Sequence, residues 1–194
     1  MKIEPVTLEG RAVRLLPLAL HHHAELCEVG LDPEIWRYTT GRAASADDIR
    51  RYIETALEWQ AAGTALPFAT VAVATGRAVG STRFANIDRA NRRVEIGWTW
   101  LGRDWQRTAL NTEAKYLMLR HAFERWGCIR VELKTDALNT VSRAAILRLG
   151  ATEEGTFRKH MVMPHRVRDT VWYSILDDEW PRVRERLESR MRDR

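Results

Sequence analysis

The feature that most constrains this fold is a change of hydrophobic period between residues 101 and 112. Upstream, three apolar and β-branched segments separated by short turns predict an antiparallel meander, with strands at 68–74, 78–87 and 92–101. Downstream, apolar residues recur at helical spacing over 112–126, and Gly127 ends the pattern. A strand that leads into a helix leaves the first N–H groups of that helix free for an anion. We therefore expect a ligand site at this junction.

The segments on either side of the meander carry clear boundary signals. Ser45 is a good N-cap for a helix that extends to Gly63, and acidic residues follow it in the first turn. Residues 129–134 alternate between apolar and charged side chains, which predicts a half-buried strand. Asn139 then opens a further helix that ends at Gly150.

The two ends of the chain complete the order of elements. We predict a first strand at 11–18, a helix at 19–29, a turn at 32–38 and a final hairpin at 157–176. Asp178 caps a basic terminal helix. This order indicates an α/β fold with a mixed sheet flanked by helices. Because 194 residues suit one core and are too few for two ordinary domains, we expect a single domain over 1–194.

Composition narrows the classes of function. With 45% hydrophobic and 29% charged residues, no apolar run of about 18 residues and no apolar leader, the chain is expected to be cytoplasmic and without membrane contact. Its two cysteines support neither a disulfide framework nor a metal site. The net charge of +5 suits an anionic ligand. Arginine and glutamate interleave in the terminal helix, which favours a solvated ion-paired face over direct nucleic-acid binding.

Four short motifs resemble the GNAT acetyltransferase superfamily, and they occur in that family's order. Gln106-Arg107-Thr108-Ala109-Leu110-Asn111 resembles the cofactor loop Gln/Arg-x-x-Gly-x-Gly/Ala, and it leads into Thr112-Glu113-Ala114. Glu95-Ile96-Gly97-Trp98 precedes it, and Asn139-x-x-Ser142 with Leu149-Gly150 follows it. The Glu-Ile-Gly and Thr-Glu-Ala features are similar to the branch that acetylates the N-terminal alanine or serine of ribosomal proteins.

The resemblance implies a GNAT-type sheet and acetyl-CoA as co-substrate, with no metal. The residues it assigns to acetyl-CoA are Trp100, Leu101, Gln106, Arg107, Thr108, Ala109, Leu110, Asn111, Thr112, Asn139, Ser142 and Arg143. Arg103 is a further candidate for the phosphates. The loop departs from the family where Ala109 and Asn111 replace small residues, and glycine there permits positive φ and close approach to pyrophosphate. The loop can still hold phosphates if Ala109 adopts negative φ.

Acetyl transfer to an amine requires a proton acceptor, an oxyanion partner and a proton source for the thiolate. Glu95 is the candidate general base, and the alternative is a solvent-facing strand residue paired with a neighbour. Ile146 occupies the position of the usual tyrosine acid, so Ser142 is the substitute, although it could instead only help to cap its helix. A backbone N–H within 98–101 is the expected oxyanion donor.

The sequence leaves the acceptor open. An α-amino group is neutral at pH 7 on the order of 10% of the time, whereas lysine is neutral far less often. Together with the resemblance, this favours the N-terminus of a protein or peptide, such as a ribosomal protein. The alternatives are a small amine, such as an antibiotic or polyamine, and a non-catalytic acyl-CoA-binding module. The oligomeric state stays equally open, with a homodimer among the possibilities.

Overall fold

The computed structural model describes residues 1–192, and in that part of the chain it contains eight strands and six α-helices. The strands are β1 (Leu8–Glu9), β2 (Val13–Pro17), β3 (Leu66–Ala72), β4 (Arg77–Asp88), β5 (Arg93–Leu101), β6 (Arg130–Asp136), β7 (Thr152–Val162) and β8 (Val167–Leu176). The helices are α1 (His23–Gly30), α2 (Pro33–Trp36), α3 (Ala46–Ala61), α4 (Ala109–Arg120), α5 (Thr140–Leu149) and α6 (Trp180–Arg192).

The eight strands form one mixed sheet in the order β1-β2-β3-β4-β5-β6-β8-β7. Neighbouring strands are antiparallel except β5 and β6, which are parallel. A parallel pair needs a crossover connection, and here α4 provides it between β5 and β6. The predicted α/β fold with a mixed sheet flanked by helices is confirmed.

Two buried apolar clusters cover the two faces of the sheet. Phe68 belongs to the first cluster and its neighbour Ala69 to the second, because successive strand side chains point to opposite faces. The first cluster includes buried residues of α4, α5 and α6, such as Leu117 and Val183. The second includes residues of α1 and α3, such as Ile53. The sheet is therefore a central layer between two helical layers.

The starts of α3 and α5 follow the predicted caps at Ser45 and Asn139. The Ser45 side chain accepts a hydrogen bond from the N–H of Asp48 at 3.2 Å, and the Asp48 carboxylate accepts the N–H of Ser45 at 2.9 Å. Such a reciprocal pair satisfies free donors at the start of α3. The Asn139 side chain caps α5 by accepting the N–H of Ser142, and Gly150 ends that helix with a left-handed φ of 102°. The predicted meander is confirmed as β3, β4 and β5.

Three predicted boundaries were wrong. The helix predicted at 19–29 opens as a 3₁₀ turn at Leu20–His22, and α1 begins only at His23. The helix predicted from residue 112 begins three residues earlier, at Ala109, because Thr108 caps it, and a π-helical segment at His121–Arg125 follows the end of α4. The hairpin predicted from residue 157 begins at Thr152, since pairing with β8 extends the strand into a charged stretch.

Candidate active site

The site arises where two parallel strands separate. β5 and β6 pair only over residues 93–95 and 130–132. Beyond that point β5 continues with β4 and β6 continues with β8, and a cleft of about 1130 Å³ opens between them. It is lined by residues 95–101 of β5, residues 133–135 of β6, the start of α4 and the start of α5.

A bulge in β5 interrupts its regular pairing with β4 at residues that line this cleft. Arg83 of β4 pairs with Gly97 and Ser81 pairs with Trp100, so two residues of β5 oppose one residue of β4. Trp98 lies in the bulge with a φ of 49°, and its carbonyl accepts a hydrogen bond from the hydroxyl of Tyr52 at 3.3 Å. Bulges re-aim backbone groups and side chains, often beside functional sites. The bulge falls within the segment 98–101 from which the sequence predicts an oxyanion donor.

The start of α4 explains how the altered cofactor loop folds. The Thr108 hydroxyl donates to the carbonyl of Trp105 at 2.8 Å and accepts the N–H of Leu110 at 3.3 Å. Ala109 is therefore the first helical residue, and the left-handed conformation falls on Arg107, with a φ of 60°. Ala109 has the negative φ that the loop needs if it is to hold phosphates. The Gln106 amide donates to the carbonyl of Leu101 at 3.0 Å and holds the turn against the end of β5.

Glu113 of the Thr-Glu-Ala motif has a structural role that the sequence did not predict. Its carboxylate accepts the backbone N–H groups of Arg11, Ala12 and Val13 at 2.8, 2.7 and 3.0 Å. The partners lie about a hundred positions away in sequence, so no local pattern could have predicted them. Glu113 therefore fixes the start of β2 against α4.

Glu95 lies at the point where β5 and β6 separate, and it lines the cleft although only 1% of the residue is exposed. Its Oε2 accepts hydrogen bonds from the Lys134 ammonium at 2.9 Å and from the Asn86 amide at 2.7 Å. The alternative of a solvent-facing strand residue is wrong in exposure, although the predicted pairing with a neighbour is present in the contact with Lys134. Its role as general base stays a prediction.

The residues assigned to α5 divide into two groups. Asn139 and Ser142 line the cleft, and the Asn139 side chain accepts the N–H of Ser142 at 3.0 Å as the helix cap. Arg143 is not among the residues that line the cleft. Its guanidinium donates to the Tyr173 hydroxyl at 3.1 Å and to the Glu153 carboxylate at 3.3 Å.

Most of the other predicted acetyl-CoA residues line the same cleft. They are Trp100, Leu101, Gln106, Arg107, Thr108, Ala109, Asn111 and Thr112. Leu110 belongs instead to the buried apolar cluster, where its side chain packs while its N–H serves the Thr108 cap. Arg103 forms an ion pair with Asp32 at 3.4 Å. The binding roles of all these residues stay predictions.

Lys115 is a buried amine that sequence reasoning missed. It lines the cleft from α4, and its ammonium donates to the Thr82 hydroxyl at 2.9 Å and to the Thr99 hydroxyl. Burial lowers the pKa of Lys115 to about 7. The only available sequence signal was a lysine on the apolar face of a helix.

The two ends of the cleft differ in chemistry. One end adjoins the N-terminus of α4 and carries Arg11, Arg148 and Arg190, which suits the phosphates of a nucleotide. The other end is lined by Tyr38, Met161 and Arg168 and by neighbouring residues of the segment that follows α2. No group of three or more His, Cys, Asp or Glu side chains within residues 1–192 could hold a metal ion.

A family model described as an acetyltransferase (GNAT) domain matches residues 12–152. The chain therefore belongs to the GNAT acetyltransferase family and is an acetyl-CoA-dependent N-acetyltransferase. The splayed strands, the bulge and the capped helix start are the parts of its fold that form the cleft. Over residues 1–192, no helix is long and apolar enough to cross a membrane.

Known proteins resemble the chain to different extents. YdaF of Bacillus subtilis (strain 168), named as a ribosomal N-acetyltransferase, is 32% identical over 105 residues, which cover 54% of this chain and only 57% of that relative. An acetyltransferase structure from T. thermophilus is 35% identical, with a TM-score of 0.89 and coverage of 98% and 99% of the two chains. RimJ of Mycobacterium smegmatis in complex with CoA-disulfide is 24% identical, with a TM-score of 0.84 and coverage of 97% and 96%, and shares the fold.

Proposed function

We propose that the protein transfers the acetyl group of acetyl-CoA to the α-amino group at the N-terminus of a protein or peptide, and that residues 1–194 form one catalytic domain. The observation that carries the proposal is the buried Glu95 carboxylate, which lines the cleft at the point where β5 and β6 separate. A carboxylate in that position is available to accept the proton of an attacking amine. The name of YdaF, a ribosomal N-acetyltransferase, supports a ribosomal-protein acceptor.

Each assigned group has one task in this proposal. Glu95, directly or through a water molecule, removes a proton from the α-ammonium, and the free amine attacks the thioester carbonyl. Backbone N–H groups of the bulged segment 98–101 stabilise the oxyanion. The carbon–sulfur bond then breaks, and the Ser142 hydroxyl protonates the departing thiolate. The second proton of the amine nitrogen returns to Ser142 through solvent, so the amide and the free thiol of CoA are the products. The thiolate is also a stable leaving group by itself, so the contribution of Ser142 is the smaller one.

Acetyl-CoA binding is assigned to the rest of the cleft. The pyrophosphate lies against the N–H groups of residues 107–111, where the helix dipole adds about 0.3–1 kcal/mol for each nearby negative charge. Asn139 contacts the pantetheine amides in addition to capping α5. Arg11, Arg148 and Arg190 supply positive charge close to the same end of the cleft.

A peptide panel tests the acceptor. Matched peptides with free and with blocked N-termini, each with and without lysine, are incubated with acetyl-CoA alongside simple amines. Thiol release gives the rate, and mass spectrometry locates the acetyl group. We expect acetylation at free α-amines alone. Acetylation confined to lysine or to small amines would overturn the N-terminal acceptor, and binding of acetyl-CoA without thiol release would indicate a non-catalytic module.

A further inference from the structure

Arg168 is a buried arginine at the end of the cleft that Tyr38 and Met161 also line. Arg168 on β8 is 7% exposed and lines the cleft close to Tyr38 and Met161. Its Nε donates to the Thr170 hydroxyl at 3.1 Å, and its Nη1 donates to the carbonyl of Tyr38 at 3.3 Å. A guanidinium carries five N–H donors. Within residues 1–192, these two hydrogen bonds leave three donors of Arg168 without a protein acceptor.

The nearest carboxylate is shared between two arginines. Asp136 is fully buried, and its Oδ2 forms an ion pair with the Arg166 guanidinium. The same oxygen lies 4.0 Å from the Nε of Arg168. Its Oδ1 accepts the N–H of Leu138 at 2.9 Å. Burial lowers the pKa of Arg168, the nearby Asp136 carboxylate raises it, Arg166 lowers it, and the more weakly coupled Glu95 raises it. One carboxylate thus faces two guanidinium groups, and the cluster carries an excess positive charge.

The other carboxylates that line the cleft already have partners. Glu95 is bound by Lys134, Glu113 accepts three backbone N–H groups, and Glu34 is paired with Arg37 at 3.5 Å. None of them, in the described part of the chain, is within ion-pair distance of Arg168. A buried guanidinium is costly unless a charge partner or hydrogen-bond acceptors compensate for its lost hydration.

Arg83 shows how the same fold compensates a buried guanidinium when no ligand is involved. It is 1% exposed, and the rings of Tyr52, Trp59 and Trp98 lie 4.9, 5.2 and 5.6 Å from its guanidinium carbon. Aromatic faces attract cations. Among residues 1–192, Arg168 has no such ring within cation–π distance, and unlike Arg83 it lines the cleft.

We propose that Arg168 determines acceptor specificity by binding a carboxylate that the acceptor carries close to its reacting amine. The planar fork of a guanidinium matches a carboxylate in a bidentate arrangement. This inference rests on the proposed function: in a peptide acceptor, the carboxylate is an acidic side chain within the first two residues. The phosphates of acetyl-CoA are assigned to the opposite end of the cleft, at α4.

Matched acceptor pairs test the inference. We compare kcat/KM within two matched pairs of acceptors. The first pair is two peptides that differ only by Asp or Asn at the second residue, and the second is 3-aminopropanoate and its amide. For the wild-type protein we expect the charged member to be preferred by about 10- to 100-fold. In Arg168→Gln the preference should fall to about 1, whereas Arg168→Lys should retain part of it because the charge remains.

Arg158→Gln is the control, since Arg158 is an exposed arginine of β7 that is not part of the cleft lining. It should keep the preference for the charged acceptor. The ratio of kcat/KM for the charged and the neutral acceptor is measured within each variant, so a smaller amount of folded protein does not change it. If Arg168→Gln does not fold, Arg168→Lys is used as the test variant. The KM for acetyl-CoA should stay unchanged in all three variants.

Each result that would contradict a proposal can be distinguished from the others by kinetics. Equal rates for charged and neutral acceptors, or a preference that survives in Arg168→Gln, would overturn the carboxylate site. A raised KM for acetyl-CoA with an intact preference would place Arg168 at the phosphates instead. If only 3-aminopropanoate is acetylated, the N-terminal acceptor is wrong while the carboxylate site stands. Acetylation of neither set overturns both.

Discussion

Glu95 is the residue on which the proposed chemistry depends most. Its carboxylate is enclosed by the sheet, and the Lys134 ammonium and the Asn86 amide both bind the same oxygen, Oε2. The other oxygen, Oε1, is directed towards Gly97, where an added Cβ would approach it to 2.9 Å. A glycine at this position therefore leaves space beside the carboxylate, on the strand edge that faces the cleft.

We expect Glu95→Gln to lower kcat by about 10²- to 10⁴-fold, because an amide cannot accept the amine proton, while the KM for acetyl-CoA changes little. The defect should shrink at high pH, where solvent deprotonates the α-amine without help. The measurement is the pH dependence of kcat and kcat/KM. Glu132→Gln is the control, since Glu132 is another buried, ion-paired glutamate, bound by Arg93 and Arg130, but does not line the cleft. A pH–rate profile unchanged by Glu95→Gln would reject the assignment.

At the scale of elements, the cleft depends on how α4 is held against the sheet. Thr108 sets where the helix begins, and Glu113, one turn later, joins it to the start of β2 through three backbone N–H groups. The first turn of α4 lines the cleft, so any shift of this helix would move the proposed phosphate site. The contact thus links the stability of an edge of the sheet to the geometry of the site.

Glu113→Gln should lower the free energy of unfolding by about 2–4 kcal/mol, because a charged acceptor of one buried and two partly buried N–H groups is replaced by one neutral oxygen and an opposing NH₂ group. Urea denaturation measures the change. The matched control is Glu185→Gln on the exposed face of α6, expected to cost less than about 0.5 kcal/mol. Equal costs for both substitutions would show that the link between α4 and β2 contributes no stability.

At the scale of the whole molecule, the sheet separates two apolar cores, and one ionisable amine lies inside the layer that α4 covers. Lys115 has two threonine hydroxyls as partners, one on β4 and one on β5, and within residues 1–192 no carboxylate forms an ion pair with it. Its pKa is about 7 in the folded protein and near 10.5 when exposed to water. Folding therefore favours the neutral amine.

Because the unfolded chain holds this proton between about pH 7 and pH 10 and the folded chain does not, the free energy of unfolding should rise with pH over that range. One proton gives a slope of at most about 1.4 kcal/mol per pH unit. Denaturation between pH 7 and 9 should show the rise in the wild-type protein and its loss in Lys115→Met. The exposed Lys159→Met variant is the control and should keep it. An identical slope in Lys115→Met would mean that Lys115 remains protonated in the folded state.

The sequence by itself determined the local structure and the family. Strand alternation, helical spacing and the caps at Ser45 and Asn139 depend on residues a few positions apart, so their physics is readable from the chain. The same reasoning located the cofactor loop, yet it placed the start of α4 too late. Nothing in the spacing of apolar residues marks Thr108 as the cap of this helix.

Only the tertiary structure decided which side chains meet in the cleft. The pairing of Glu95 with Lys134, the contacts of Lys115 with β4 and β5, and the position of Arg168 beside Asp136 join residues that lie 16 to 39 positions apart. These contacts follow from where β5 and β6 separate and from the pairing of β8 with β6. Period and propensity specify which face a side chain occupies, but the burial and charge partners that set its chemistry come from neighbouring strands and helices.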